Sequence, residues 1–349
     1  MTMTIPSMGA RVLATSYLDV HRQMATEIDA EREAVLALLG PSAPALRAAV
    51  AALLRHRAFK YPLSVLPLMV HAVETGSARP ALPLAVVHEL WWTSACTLDD
   101  LADSPGTGVS GVTGFAGDLD AGDAFLATVV AAAPLPLLAV RSSRVPEALH
   151  GPLAEEIIRC WVGASEGQLW DLHGSTADVT RASVGAAYRG KSGSPFSMIT
   201  AMAALLAGAP EPRVEQWREF GDVFGVLWQL LNDQEDLLSG RNEDLRNGTA
   251  TYLLACALEE APTTGPDAGL RQLRADARDS ETARAELARH LLAPAVLRRY
   301  EEDTGRFRDQ AHRLLDGFGG ERACLPALKD LVDRTAVVLL RPDTSLSVR

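Results

Sequence analysis

Two acidic clusters are the residues of this chain best suited to chemistry. The first reads Asp99-Asp100-Leu101-Ala102-Asp103 and the second Asn232-Asp233-Gln234-Glu235-Asp236, and each follows an apolar stretch with a helical pattern. Residues four apart share one helix face, so the outer side chains of each cluster point the same way. Buried carboxylates are costly unless a cation joins them, and Mg²⁺ prefers oxygen ligands and phosphate partners. If the fold brings the clusters together, the pair predicts a magnesium-dependent enzyme that acts on a diphosphate.

Composition and charge exclude several classes of function. The net charge of -11 argues against a nucleic-acid partner, because phosphate backbones need basic patches. The four cysteines are widely spaced without a CxxC pair, which argues against zinc and a disulfide framework and favours a reducing, cytoplasmic location. We expect no signal peptide in Met1–Ala10 and no membrane span, since no uninterrupted apolar run reaches about 18 residues.

The pattern along the chain predicts an all-α protein. Hydrophobic residues make up 48% of the chain, enough for a sizeable core, and the segments rich in Ala and Leu favour helices over strands. We expect a loose tail over residues 1–15, one helical domain over 16–341 and a second tail over 342–349. The Gly-, Ser- and Thr-rich loop at 104–117 is either a lid over the site or a surface connection. The stretch 262–279 begins as a linker.

Several short motifs between and around the clusters resemble a known superfamily. In chain order they are Glu89-Leu90, Gly122-Asp123, Gly167-Gln168 with Asp171, Lys191-Ser192-Gly193, and Trp228-Gln229 leading into the second cluster. Their order and spacing resemble the trans-isoprenyl diphosphate synthase and class I terpene synthase superfamily over roughly residues 50 to 340. The resemblance implies a single-domain isoprenoid-synthase helical bundle around a central cavity. It also implies an isoprenoid diphosphate substrate and dimerisation through core helices.

The resemblance gives the acidic residues their roles. Asp99 and Asp103 would hold two Mg²⁺ ions with support from Asp100, and Asn232 and Asp236 would hold a third. The ions would stabilise the charge that develops on the leaving diphosphate as the C–O bond ionises.

Basic and amide side chains complete the site that the resemblance implies. Lys191 and Arg241 would neutralise the departing diphosphate, and Gln168 would lie near it on its helix. An apolar cavity would then shelter the allylic cation from water.

The second cluster departs from both motif styles of the superfamily. Terpene cyclases often use N-D-x-x-S-x-x-x-E, and this chain has Asn232 and Asp236 at the first two ligand positions but Gly240 at the third. The third metal could therefore take Asp233 or Glu235 as a substitute ligand.

The bases that would hold a second diphosphate are largely missing. Chain-elongating synthases bind isopentenyl diphosphate through G-G-K-R-x-R-P, whereas the segment that ends at Pro62 reads His56-Arg57-Ala58-Phe59-Lys60-Tyr61-Pro62. Trp92 stands where the superfamily has a histidine, and Gly248-Thr249 stands where it has G-K in its G-K-x-T element. We infer that isopentenyl diphosphate is not a substrate.

Side chains before the first cluster indicate the length of the substrate. Ser94 and Ala95 occupy positions that line the hydrocarbon tunnel in relatives, and both are small, so the tunnel should extend past a C15 chain to a floor at Trp91. Aromatic faces that could stabilise a carbocation, each by roughly 0.5–2 kcal/mol, are Trp91, Trp92, Phe196, Phe224 and Trp228. Any one of them could equally be an ordinary core aromatic.

These observations favour a class I diterpene synthase. It would ionise geranylgeranyl diphosphate, or a bicyclic labdane-type diphosphate, and quench the cation by deprotonation or water. Two alternatives stay open. One is a prenyltransferase with an acceptor other than isopentenyl diphosphate, and the other is a non-catalytic subunit of a heteromeric prenyl diphosphate synthase.

Overall fold

Every regular element of the described chain is a helix, which confirms the all-α fold class. The structure, a computed structural model, describes residues 16–56, 63–103, 119–173, 179–260, 266–319 and 322–342. The predicted tails over 1–15 and most of 342–349, the loop at 104–117 and the positions 57–62 lie outside the described residues.

The chain forms two compact units. The first comprises residues up to Ile157 together with Met198–Arg218 and Leu315–Leu331, and the second comprises Ile158–Ser197, Glu219–Leu314 and the residues from Val332 onward. In chain order, the α-helices are α1 Tyr17–Ala37, α2 Pro44–His56, α3 Leu66–Thr75, α4 Leu82–Asp103, α5 Ala121–Ala132, α6 Pro134–Val140, α7 His150–His173, α8 Arg181–Tyr188, α9 Ser194–Leu206, α10 Glu211–Ser239, α11 Glu243–Asn247, α12 Tyr252–Glu260, α13 Pro266–Asp276, α14 Glu281–Leu291, α15 Pro294–Asp316 and α16 Leu325–Thr335. A π-helical segment, Arg189–Gly193, joins α8 to α9.

Helix α4 is central to the first unit, where it packs against α1, α5 and α6. Its residues Leu84, Val87 and Leu90 are fully buried, as their spacing of three predicts for one face of a helix. Glu89 lies at the edge of this face and accepts two hydrogen bonds from the guanidinium of Arg32 on α1, at 2.9 and 3.1 Å. These contacts fix the helix that carries the first acidic cluster.

The second unit is built around residues 219–239 of α10. Val226 and Leu230 are fully buried in a large apolar cluster, and Tyr300 of α15 donates a hydrogen bond to the Leu230 carbonyl oxygen at 2.8 Å. Gln234 donates to the Val337 carbonyl at 3.3 Å and accepts from the Leu339 amide at 2.7 Å. One buried side chain thus holds the segment after α16 against α10, directly beside the second acidic cluster.

Helix boundaries follow the sequence pattern closely in the long helices and less well near Pro and Gly. The apolar pattern of the sequence predicts helices over 81–103 and 211–239, and these correspond to α4 and α10. The stretch 262–279, which begins like a linker, contains α13. The same pattern predicts one helix over 281–316, whereas the structure has two, α14 and α15, which divide before Pro294. Proline lacks the amide that an uninterrupted helix would need there, so the division is expected on physical grounds.

One described stretch, Gly122–Val140, is long and apolar enough to cross a membrane by length and composition. It is 44% buried inside the protein, and the backbone at Ala133 (φ -139°, ψ -51°) divides it into α5 and α6. Core helices of packed proteins pass the same test of length and composition, so this stretch is weak evidence for a span.

Candidate active site

The first acidic cluster forms the C-terminal end of α4 in the first unit. Asp99 and Asp100 are half-buried, and the side chain of Asp103 lies outside the described residues. Ala95 and Trp92, one and two turns earlier on the Asp99 face, are also partly exposed. A half-buried carboxylate pair at a helix end is chemically suited to a divalent cation.

Two other residues predicted to line the substrate cavity face the interior of the first unit. Ser94 and Trp91 are both buried, and the Ser94 hydroxyl donates to the Leu90 carbonyl at 2.8 Å. The Ser94 hydroxyl is therefore satisfied within its own helix, and the side chain presents only a small surface to its neighbours. The predicted tunnel wall at Ser94 and Ala95, and the floor at Trp91, stay predictions.

Lys191 lies on the π-helical segment of the second unit. Its ammonium group contacts the Asp171 carboxylate of α7 at 2.9 Å, and the lysine side chain is 23% exposed, so it is neither a core group nor a freely solvated one. Single-turn π-helices recur at functional sites because they redirect side chains out of the regular helical register. The motif residues Lys191 and Asp171, which are 20 positions apart in sequence, thus come together.

Glycines make this arrangement possible through close backbone contact. A Cβ atom added at Gly167 of α7 would lie 2.4 Å from the Lys191 amide nitrogen, and one added at Gly225 of α10 would lie 2.3 Å from the Ser192 carbonyl oxygen. The π-helical segment therefore fits between α7 and α10 only where both helices lack side chains. Gly167 was singled out from its motif, whereas Gly225 had no signal beyond its residue type.

Asp233 of the second cluster is bound by neighbouring side chains. The Tyr188 hydroxyl donates to one carboxylate oxygen, and the Gln229 amide donates to the other at 2.9 Å. Tyr188 in turn accepts from the Tyr252 amide at 2.9 Å, and Gln229 accepts from the Ser192 hydroxyl at 2.6 Å. The carboxylate that follows Asn232 thus joins α8, α10, α12 and the π-helical segment.

Asp236 caps the short helix α11. Its two carboxylate oxygens accept hydrogen bonds from the backbone amides of Glu243 and Asp244, each at 3.1 Å. The bend between α10 and α11 requires Asn242 in the left-handed region, with φ at 53°. Arg241 lies in this bend and is more than half exposed, with its guanidinium 3.7 Å from Asp236. Asp236 therefore has a structural role, and its predicted role as a metal ligand stays a prediction.

The remaining polar residues of the predicted site lie in the same unit. Asn232 and Glu235 are half-buried on α10. Gln168 is also half-buried on α7, and its buried amide nitrogen has no hydrogen-bond partner among the described residues. A buried amide donor without a partner suits a position beside a bound anion.

Electrostatics mark these carboxylates as a group. Burial raises the pKa of Asp233 to about 7, against the opposing hydrogen bonds from Tyr188 and Gln229. Burial also raises the pKa of Asp244 well above its usual range, and the nearby carboxylates of Asp233, Asp236 and Asp171 add to the shift, while Lys191 opposes it. Several carboxylates share one lysine, so a cation would relieve their mutual repulsion.

The donor atoms of this site suit magnesium, although they do not form a complete coordination shell among the described residues. Oxygen donors predominate and the carboxylates repel one another, as expected where a hard cation binds. No three His, Cys, Asp or Glu side chains within the described ranges are grouped as a complete metal site. In the second unit, the predicted magnesium ligands are Asn232, Asp233 and Asp236. The ligands predicted in the first unit are Asp99, Asp100 and Asp103, and both assignments stay predictions.

The aromatic residues predicted to face a carbocation pack on one another. Phe196 and Phe224 are fully buried and meet edge to face with ring centroids 4.9 Å apart, and Phe196 lies 5.9 Å from Trp228. This geometry is typical of core aromatics in general. Their predicted role at the substrate is neither required nor excluded by it.

Comparisons with known proteins show what the chain is similar to. The polyprenyl synthetase family model matches residues 129–288. None of the curated protein sequences matches the chain.

Solved structures match over nearly the whole chain. A geranylgeranyl pyrophosphate synthetase from Pyrococcus horikoshii is 18% identical with a TM-score of 0.74, covering 92% of this chain and 98% of its own. A polyprenyl synthetase from Streptomyces coelicolor is 19% identical with a TM-score of 0.72, covering 92% and 99%. A geranylgeranyl pyrophosphate synthase from Corynebacterium glutamicum, complexed with isoprenyl diphosphate and magnesium, is 18% identical with a TM-score of 0.69, covering 92% and 98%. Together, the family match and these structures confirm the resemblance to the trans-isoprenyl diphosphate synthase superfamily that the sequence indicates.

Proposed function

We propose that this protein is a magnesium-dependent enzyme that ionises a single allylic diphosphate, as class I terpene synthases do. The substrate is a C20 diphosphate, either geranylgeranyl diphosphate or a bicyclic labdane-type diphosphate. The cation that forms is converted to a hydrocarbon or alcohol by cyclisation and elimination or by capture of water. The enzyme is then a carbon–oxygen lyase.

The observation that carries this proposal is the pairing of Lys191 with Asp171 beside the carboxylates of α10 and α11. Lys191 lies on a π-helical segment that packs closely against a glycine of α7 and a glycine of α10. An ordinary surface lysine would not need such an arrangement. The carboxylates of Asp171, Asp233 and Asp244 are near enough to one another for each to influence proton binding at another. Diphosphate chemistry needs both signs of charge, because carboxylates hold cations and cationic side chains hold phosphate oxygens.

The residues of this chain have distinct tasks in the proposed reaction. Lys191 donates hydrogen bonds to the diphosphate as negative charge develops on it, and Asp171 keeps the ammonium group in place. Arg241 and Gln168 add donors from the α10–α11 bend and from α7. Magnesium, when bound, supplies Lewis-acid neutralisation of the diphosphate.

The residues before the first cluster favour one diphosphate over two. Trp92 stands where the superfamily that this chain resembles has a histidine. The nearest histidine in this sequence is His88, one helical turn earlier. Burial lowers the pKa of His88 to about 4, so this ring is neutral at physiological pH. Its Nδ1 lies 3.3 Å from the Leu63 carbonyl oxygen, which suits a neutral N–H donor. It therefore cannot supply the positive charge that Trp92 lacks.

A product assay tests this proposal. The purified protein is incubated with geranylgeranyl diphosphate and Mg²⁺ without an acceptor, and the mixture is extracted for hydrocarbons and alcohols. Cyclic or eliminated C20 products are expected from the wild type and, about 100-fold more slowly, from Lys191→Met. Elongated polyprenyl diphosphates on addition of isopentenyl diphosphate would show that the interpretation of the missing bases is wrong. If only a bicyclic labdane-type diphosphate is turned over, the substrate is pre-cyclised.

The second candidate is a prenyltransferase, which is supported by the match to the polyprenyl synthetase family. With the isopentenyl diphosphate bases missing, its acceptor would be another nucleophile. This candidate predicts that product and pyrophosphate form only when an acceptor is present. A non-catalytic subunit predicts no product from any C10 to C25 diphosphate until a partner protein is added.

A further inference from the structure

Three arginines on and just after α13 form a basic cluster in the second unit. Arg271, Arg274 and Arg278 are spaced by three and four residues, which places them on one side of the helical path. They come from the stretch that resembles a linker in sequence, so no motif draws attention to them. We refer to these three residues as the arginine cluster.

Arg274 is the buried member of the arginine cluster. It is 7% exposed, and its Nε and Nη2 atoms donate to the Gly248 carbonyl oxygen at 2.9 and 2.5 Å. Its Nη1 atom is buried and has no hydrogen-bond partner among the described residues. A buried charged donor without a partner is costly, and the usual reason for keeping one is a ligand that completes it.

The Arg278 side chain also lies against Gly248. A Cβ atom added at Gly248, where φ is +66°, would lie 2.5 Å from the Arg278 Nε atom. Glycine at this position therefore lets two guanidinium groups meet over one peptide. The next residue is Thr249, which stands where the resemblance places the lysine of the G-K-x-T element. Arg274 of α13 and Arg278 just after that helix thus bring positive charge to Gly248, next to the position that lacks the lysine.

Electrostatics connect the arginine cluster to the candidate active site. Burial lowers the pKa of Arg274, and the positive charges of Arg278 and Arg271 lower it further, while the Asp171 carboxylate raises it. Asp171 is the residue that binds Lys191 at 2.9 Å. The three arginines repel one another, and the Asp171 carboxylate attracts Arg274.

We propose that Arg271, Arg274 and Arg278 form an anion site that binds the phosphate groups of the diphosphate alongside Lys191. This rests on the proposed function, because the ligand is the diphosphate of that reaction. Guanidinium groups bind phosphate oxygens in pairs, and the unpartnered Nη1 of Arg274 supplies the central donor. The site accounts for the orphaned donor, for Gly248 and for the loss of the lysine at position 249.

Binding of inorganic pyrophosphate in the presence of Mg²⁺, measured by titration calorimetry, tests this site without any need for turnover. The main variants are Arg271→Gln and Arg278→Gln, alone and combined, because both side chains lie outside the core. Arg274→Gln is added with a thermal melt to verify folding, since its side chain also holds Gly248. Arg298→Gln on α15 is the matched control, because Arg298 is an exposed arginine of the same unit.

We expect the double variant and Arg274→Gln to weaken pyrophosphate binding about tenfold or more, and Arg298→Gln to change it less than twofold. If the wild type binds pyrophosphate and the double variant binds it equally tightly, the arginine cluster is not part of the site and the proposed function stands. If the wild type does not bind pyrophosphate at all, the diphosphate site of the proposed function is itself wrong. If Arg298→Gln weakens binding as much as the double variant, the effect is one of net charge and the proposal fails.

Discussion

The two acidic clusters have similar sequences and very different surroundings. In the first, Asp99 and Asp100 end a helix and remain half-buried. In the second, Asp233 and Asp236 are each 5% exposed, and their carboxylates accept hydrogen bonds from Tyr188, Gln229 and two backbone amides. The same motif therefore serves two purposes. The second cluster joins elements of its own unit in addition to its predicted role as a metal site, so its loss should cost stability, whereas loss of the first should affect turnover.

The largest expected effect is at the first cluster. Asp99→Ala should reduce turnover of geranylgeranyl diphosphate by about 1000-fold or more, because a metal ligand is lost from the site of charge development. The far-UV circular dichroism and the melting temperature should stay close to those of the wild type. Asp279→Ala, which removes an exposed carboxylate elsewhere, is the control and should keep full activity. Loss of helical content in Asp99→Ala would mean that the first cluster is structural too.

A substitution of Lys191 tests the part of the candidate site in which an ammonium group and a carboxylate meet. Lys191→Met should lower kcat by about 100-fold, as expected for the loss of one charged donor to a developing oxyanion. Lys329→Met, whose ammonium group forms a surface ion pair with Asp316, should leave kcat unchanged. Unchanged turnover in Lys191→Met would show that the Lys191–Asp171 pair is only an ion pair between α7 and the π-helical segment.

Substitution of Asp236 should lower the stability of the protein, whereas substitution of Asp99 should leave stability unchanged and lower turnover. Asp236→Ala removes the acceptor for two backbone amides and should lower the free energy of unfolding by about 1–3 kcal/mol, measured by urea denaturation. Asp236→Asn keeps one acceptor oxygen and should lose less. Equal stability of the wild type and Asp236→Ala would contradict the capping role and favour Asp236 as a dedicated metal ligand.

A smaller, pH-dependent effect is expected at Asp233. Its folded pKa of about 7 is raised above the value of about 4 for an unfolded aspartate. The unfolded chain therefore releases this proton first, and stability from this group is fully present below pH 4 and falls as the pH rises to 7.

The comparison of wild type with Asp233→Asn isolates this effect. In the presence of a chelator, the stability advantage of Asp233→Asn over the wild type should grow as the pH rises from about 4 to about 7 and then level off. Added Mg²⁺ should reduce that difference if Asp233 becomes a ligand. Identical pH profiles for the two proteins would show that the Asp233 carboxyl titrates normally.

The sequence predicted the parts of the site that depend on local pattern. Apolar spacing located α4 and α10, and the motifs located Lys191, Asp171 and Gly167, because each reflects a short-range requirement of helix geometry or close packing. The partners of Asp233 could not be predicted, since Tyr188 is 45 positions away and its hydroxyl reaches the carboxylate only through the folded chain.

The stretch 262–279 shows the other limit of sequence patterns. Its Pro, Gly, Thr and Asp residues are typical of a linker. Helix α13 nevertheless forms, because Leu270 packs into the apolar cluster of the second unit and Arg274 is held by the Gly248 carbonyl. Both are tertiary contacts, so a pattern within 18 residues could not indicate them.

The claim that one diphosphate is ionised without a second is tested most directly by release of inorganic pyrophosphate. Release from geranylgeranyl diphosphate would be measured with Mg²⁺, in the presence and absence of isopentenyl diphosphate, with a reaction without protein as the background. We predict the same rate of release with and without isopentenyl diphosphate, and a rate at background in Asp99→Ala. Release that begins only when isopentenyl diphosphate is added would contradict the proposal and identify a chain-elongating enzyme.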